Sequence, residues 1–161
     1  MGLADIIEKG GVYSNIGGSS PQAVLTALVS ALPLPLTARR LKVPEAGSAL
    51  LEAVLEREAL MPTGIGNGIA LPHPRNPVIT EESHQFAALA FLDKKVDWHS
   101  LDGKPVDTVL LLVSASPKQH LRMLSEITFF CRQDDFFDLL RKRAPLEELL
   151  LYLRNAEKNW N

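Results

Sequence analysis

The residues best placed to do chemistry sit around one histidine. His73 closes the run Thr63-Gly64-Ile65-Gly66-Asn67-Gly68-Ile69-Ala70-Leu71-Pro72-His73. Glycines at 64, 66 and 68 let a backbone turn tightly and bring N–H groups near a ligand. Ile69-Ala70-Leu71 predicts a short buried strand, and Pro72, which has no N–H to donate, ends it. Together they predict an imidazole on a rigid stem beside exposed amides, an arrangement that suits receipt of a negatively charged group. Neutral imidazole is a good phosphoryl acceptor near pH 7, because its reference pKa is about 6.5. One ring nitrogen must present its lone pair while the other donates its proton to an acceptor. The sequence leaves open which nitrogen does which. On chemistry alone, a glycine-rich turn is common and a lone histidine is more often a loop or core residue.

Further motifs sharpen the reading. Glu56-Arg57-Glu58 lies upstream; Asp102-Gly103-Lys104-Pro105-Val106-Asp107 and Gln119-His120-Leu121, with Leu124-Ser125, lie downstream. In this order, over about Leu3 to Leu153, they resemble the IIA proteins of the phosphoenolpyruvate-dependent phosphotransferase system, in the type-2 fructose/mannitol/nitrogen-regulatory branch. That family carries T-G-I-G-x-G-I-A-hydrophobic-P-H, an R-E pair before it, and then D-G-x-P-V and H-L-x-x-L-[SA]. The resemblance implies that His73 accepts a phosphoryl group on Nε2. It implies that His120, in the first turn of a helix, hydrogen-bonds that group, where the helix field favours an anion. It implies that Arg57 binds phosphoryl oxygens, which a guanidinium can do two at a time. By charge pattern alone, Glu56, Arg57 and Glu58 read as a solvated helix face. Thr63, Gly64, Gly66, Asn67 and Gly68 are expected to bind the phosphoryl group or shape the site. For Asn67 a structural role in the turn, in a left-handed conformation, is favoured. Where the family has a small residue after the histidine, this chain has Pro74, which removes an N–H and stiffens the exit. Arg75 follows and adds positive charge near the donor surface.

By the same resemblance the function is that of a phosphoryl carrier fed by an HPr-type phosphocarrier, with no metal or cofactor. The favoured reading is a free-standing nitrogen-regulatory type that controls target proteins by its phosphorylation state. The alternative is the IIA subunit of a fructose- or mannitol-type uptake system that passes the group to a IIB partner. A binding-only version of the fold is disfavoured by the joint presence of His73, His120 and Arg57.

Composition narrows the classes further. The net charge of −2, with no basic block, gives nucleic-acid binding little support. The histidines are dispersed, and one cysteine cannot build a thiolate metal site. No G-x-S-x-G elbow is present. Cys131 alone fits a reducing cytoplasm and reads as a small buried apolar residue. The apolar stretch from Ala23 to Leu36 is interrupted by Thr26, Ser30, Pro33 and Pro35 and is too short to span a bilayer. The N-terminus lacks the form of a signal peptide. His84 and His99 match no motif and read as surface residues.

The elements that must position these residues follow from periodicity. Helices are predicted over Ala4 to Lys9, from Pro21 with Ser20 as cap, over Pro44 to Leu60, from Pro117 with Ser116 as cap, over Asp134 to Arg141, and from Pro145. Apolar positions put Leu50, Leu51, Val54 and Leu55 on one helix face, Leu121, Leu124, Ile127 and Thr128 on another, and Leu146, Leu149, Leu150 and Leu153 on the last. Strands are predicted at Val12 to Ile16, Ile69 to Leu71, Phe86 to Leu92 and Thr108 to Val113. Alternating strands and helices imply one three-layer α/β/α domain around a mixed sheet, over 1–161 with a core of about 3–153. The proline-rich stretch from Pro33 to Pro44 reads as an internal loop. The polar tail after Leu153 is expected to fray unless Trp160 docks it.

Overall fold

The computed structural model describes residues 2–33 and 46–159. In chain order the elements are α1 (Leu3–Gly10), β1 (Val12–Ile16), α2 (Pro21–Ala31), α3 (Ala46–Leu60), β2 (Gly64–Gly66), β3 (Ile69–Ala70), a 3-10 turn (Glu82–His84), β4 (Phe86–Val96), β5 (Val106–Val113), α4 (Pro117–Cys131), α5 (Asp134–Arg141) and α6 (Leu146–Lys158). The sheet order is β1-β4-β5-β3-β2. It is mixed: β1 runs parallel to β4 and β3 parallel to β5, while β4–β5 and β2–β3 are antiparallel.

The period-2 alternation of the central strands divides the core in two. Ala87, Leu89, Phe91, Leu110 and Leu112 face one layer, with buried residues of α1, α4, α5 and α6. Phe86, Ala88, Ala90, Leu92, Val109, Leu111 and Val113 face the other, with α2 and α3. A continuous apolar run in each central strand is what burial on both faces demands. This is the three-layer α/β/α arrangement expected. Ser20 and Ser116 start α2 and α4 as predicted: each hydroxyl accepts from the backbone N–H three residues on, at 3.1 and 3.2 Å, with proline at the first helical position.

Several expectations are corrected. The buried stripe of α4 is Met123, Ile127, Phe130 and Cys131; Leu124 packs half-buried against the same core, and Leu121 and Thr128 do not belong to the stripe. Only Ile127 belongs to both sets, and Leu121 is exposed. The i, i+4, i+7, i+8 spacing of the buried set fits one helix face equally well, so the apolar pattern alone could not choose. Gly64–Gly66 is a strand rather than part of a turn. β4 runs four residues past Leu92, because Val96 still pairs with Val106 after a break in register. The polar tail does not fray at Leu153. Helix α6 continues to Lys158, and the Glu157 carboxylate accepts the Ala4 N–H at 3.1 Å, capping α1. Pro44, Trp160 and most of the proline-rich loop lie outside the described residues.

Candidate functional site

Strand β3 and its neighbour β5 run parallel, and both end at the same edge of the sheet. Beyond that edge Leu71, Pro72 and His73 form a stem held by backbone bonds to three separate segments of the chain. The Leu71 N–H donates to the Thr63 carbonyl at 3.0 Å. The Pro72 carbonyl accepts from Leu112 of β5 at 2.9 Å, and the Arg75 N–H donates to Ala53 of α3 at 3.2 Å. Pro72 therefore lends an acceptor where it cannot lend a donor. Thr63, one anchor of the stem, is itself fixed. The buried Glu58 carboxylate accepts its N–H at 2.8 Å and its hydroxyl at 2.6 Å, and Trp98 donates to the same hydroxyl at 3.4 Å.

The His73 ring is half-buried, and its Nδ1 lies 2.9 Å from the Leu71 carbonyl oxygen. A carbonyl can only accept, so Nδ1 carries the proton and Nε2 of the neutral ring holds the lone pair. The His120 ring lies beside it, tilted, with centroids 4.2 Å apart. Arg57, in the last turn of α3, donates through Nη1 to the Met61 carbonyl at 2.7 Å and so is braced by a free carbonyl past its own helix end. His73, His120, Arg57 and Arg75 line a common cavity of about 300 Å³ with Pro74, Pro77, Ser114, Ser116, Pro117 and Leu121.

Burial lowers the pKa of His73, helped by the Arg57 charge and opposed by the Leu71 bond and the Glu58 carboxylate. For His120, burial with the nearby His73 and Arg57 brings the value down to about 4. Both rings are thus neutral at pH 7. The cavity keeps permanent positive charge on its arginines and lone pairs on its imidazoles, a combination that attracts an anion and can attack it.

The glycine turn lies elsewhere. Gly64, Gly66, Asn67 and Gly68 belong to the hairpin formed by β2 and β3, with Asn67-Gly68 at its closed end and His73 beyond its open end. None of them lines the cavity, so the expected exposed amides beside the imidazole are not there. Asn67 takes the left-handed conformation (φ 56°) and donates its N–H to Asp102 at 2.8 Å. Thr63 turns its hydroxyl to Glu58 and not to the cavity. The reading of residues 56–58 as a solvated face fails at Glu58, which is buried. Its signal lay in position: a carboxylate five residues before a threonine can reach back to that residue's N–H once the helix ends between them. Sequence reading also missed Ser114, Ser116 and Leu121 as cavity walls; the serine-proline cap marked the helix start but not what it faced. Cys131 is buried as expected, and burial pushes its thiol up to about 12. His99 is exposed, and His84 is half-buried beside Glu81 at 3.5 Å. Among the described residues no helix is long and apolar enough to cross a membrane.

Comparison with known proteins agrees with this architecture. The family model for the phosphoenolpyruvate-dependent sugar phosphotransferase system, EIIA 2, matches residues 14–156. A nitrogen regulatory protein of Pseudomonas aeruginosa is 36% identical over 150 residues, covering 92% of this chain and 91% of that protein. The crystal structure of nitrogen regulatory protein IIA-Ntr from Neisseria meningitidis superposes with a TM-score of 0.76 at 22% identity, covering 94% of this chain and 98% of the other. The Escherichia coli mannitol IIA enzyme, solved in complex with phosphorylated mannitol IIB, superposes with a TM-score of 0.67 at 15% identity, covering 96% and 97%. The chain belongs to the type-2 EIIA family of the phosphotransferase system.

Proposed function

We propose that this protein is a phosphoryl carrier whose acceptor is Nε2 of His73, loaded by an HPr-type phosphocarrier in the cytoplasm. The observation that carries the reading is the Nδ1 contact with the Leu71 carbonyl, which leaves the Nε2 lone pair free in a cavity shared with Arg57 and His120. In the transfer, Nε2 attacks the phosphorus of the donor phosphohistidine. The new N–P bond forms as the donor's N–P bond breaks, and that electron pair returns to the donor ring. The Nδ1 proton stays in its bond to Leu71, whose carbonyl steadies the positive charge the His73 ring acquires. Arg57 offsets charge on the phosphoryl oxygens, and neutral His120 donates one hydrogen bond to them. Phosphoryl transfer asks for this positioning and charge compensation more than for covalent help.

The role we favour is regulatory: a nitrogen-regulatory type that controls partner proteins by its phosphorylation state. It is supported by similarity to the Pseudomonas aeruginosa nitrogen regulatory protein across nearly all of that protein's length. Loading places about −2 of charge on the phosphoryl oxygens against the positive charge of the ring, a net change of about −1 in the cavity, enough to alter partner affinity. The second reading is a sugar-uptake IIA that hands the group to a IIB protein. It draws on the likeness to the mannitol IIA enzyme solved with phosphorylated IIB. The test is incubation with phosphoenolpyruvate, enzyme I and an HPr-type carrier, followed by mass spectrometry for acid-labile phosphate. Label on His73, lost in His73→Ala, is expected. Folded protein that takes no label from cognate donors would sink the carrier reading.

A further inference from the structure

We propose that Arg75 is a second phosphoryl-binding guanidinium, held in reserve by Glu56 and released to the phosphoryl group when His73 is loaded. The inference rests on the carrier reading above. Arg75 lines the His73 cavity, yet its Nη1 lies 2.8 Å from Glu56 Oε1. Both side chains are about half exposed, 49% and 52%. Such a pair is screened by water and is weak. A phosphoryl group carries more charge on its oxygens than a carboxylate and accepts two guanidinium N–H bonds at once, so it competes well for the same cation. The backbone places Arg75 for this exchange: its N–H is tied to Ala53, one turn before Arg57 on α3, and both arginines line the cavity. Among the described residues, the Glu58 carboxylate is occupied by Thr63, whereas Glu56 is engaged with a cavity arginine. Loading His73 therefore moves Arg75 from one anion to another and leaves the Glu56 carboxylate unpaired on the α3 surface.

The two sides of the exchange have opposite signs, which separates it from a structural ion pair. In the in vitro relay, the equilibrium between phosphorylated HPr-type donor and this protein is measured for the parent and for Arg75→Gln, Arg75→Lys, Glu56→Gln and the double variant Arg75→Gln/Glu56→Gln. Arg75→Gln is expected to lower the phosphorylated fraction, as an equilibrium constant, by about tenfold, the size of one charge-assisted hydrogen bond. Arg75→Lys recovers part of the loss, Glu56→Gln raises the constant, and the Glu56 effect vanishes when Arg75 is absent. Label on His73 with an unchanged constant in Arg75→Gln overturns the proposal alone. So does a fall in both single variants, the mark of a structural pair. Absence of label from the parent overturns the carrier reading and this inference with it.

Discussion

The two ends of the β2–β3 hairpin make an instructive pair. The closed end is rich in glycine and flanked by charge: Asp102 accepts the Asn67 N–H, and Arg141 grips Asp107 at 2.5 and 3.0 Å beside Gly68. The open end leads to one histidine on a stem; the Leu71 carbonyl at its Nδ1 is local, and the other groups around it arrive from elsewhere in the chain. Arg57 comes from α3, His120 from α4, and the tether of Pro72 from β5. Local conformational freedom builds the turn, whereas convergence of distant segments builds the site. A glycine-rich signal beside a functional residue in sequence need not be beside it in space, since a strand of a few residues at about 3.3 Å each separates the two.

The sharpest way to break this contrast is at the open end. His120→Ala removes the neutral donor beside His73 and is expected to slow phosphoryl acceptance by about a hundredfold, as loss of one preorganised donor does. The denaturation midpoint should move little, because His120 is only half-buried. Rapid-quench transfer kinetics with urea melts would decide, and a large stability loss at full transfer rate would reverse the assignment. The closed end should behave in the opposite way. Gly68 has φ +81°, and an added Cβ would meet Asp107 Oδ1 at 3.2 Å. Gly68→Ala is expected to cost about 1–2 kcal/mol of stability, with acceptance per folded molecule unchanged. Reduced acceptance in the folded fraction would show that the two ends are coupled after all.

The smallest effect is in pH. A free imidazole at pH 6.5 is half protonated, which would halve the rate of attack. His73 has its pKa lowered, so its neutral form persists to more acidic pH, and His120, down at about 4, stays neutral throughout. An imidazole of ordinary pKa would lose about 1.8-fold between pH 7.5 and 6.5, and single-turnover acceptance by His73 should fall by less than that. A half-point at or above 6.5 would mean that burial does not govern the ring.

Much of the fold was legible in local pattern. The apolar runs at Phe86 and Thr108 and the serine-proline starts at Ser20 and Ser116 each encode their element within a few residues, although β4 runs on to Val96 and β5 begins at Val106. What escaped was set by partners far along the chain. Whether Leu121 or Met123 faces the sheet depends on where α4 lands, and both choices satisfy the same spacing. Glu58 looks solvated among charged neighbours until Thr63 folds back to it. The site was legible in the same degree. His73, His120 and Arg57 line one cavity, whereas the hairpin carries the glycines and Asn67 away from its walls.

The three backbone tethers on the His73 stem have a kinetic consequence. A ring whose neighbours are bonded to Thr63, β5 and α3 has given up its orientational entropy during folding. In the proposed transfer an incoming donor meets a lone pair already aimed. The slow event is then the arrival and alignment of a second macromolecule, a rate that ionic strength and solvent viscosity control more than any rearrangement inside this one.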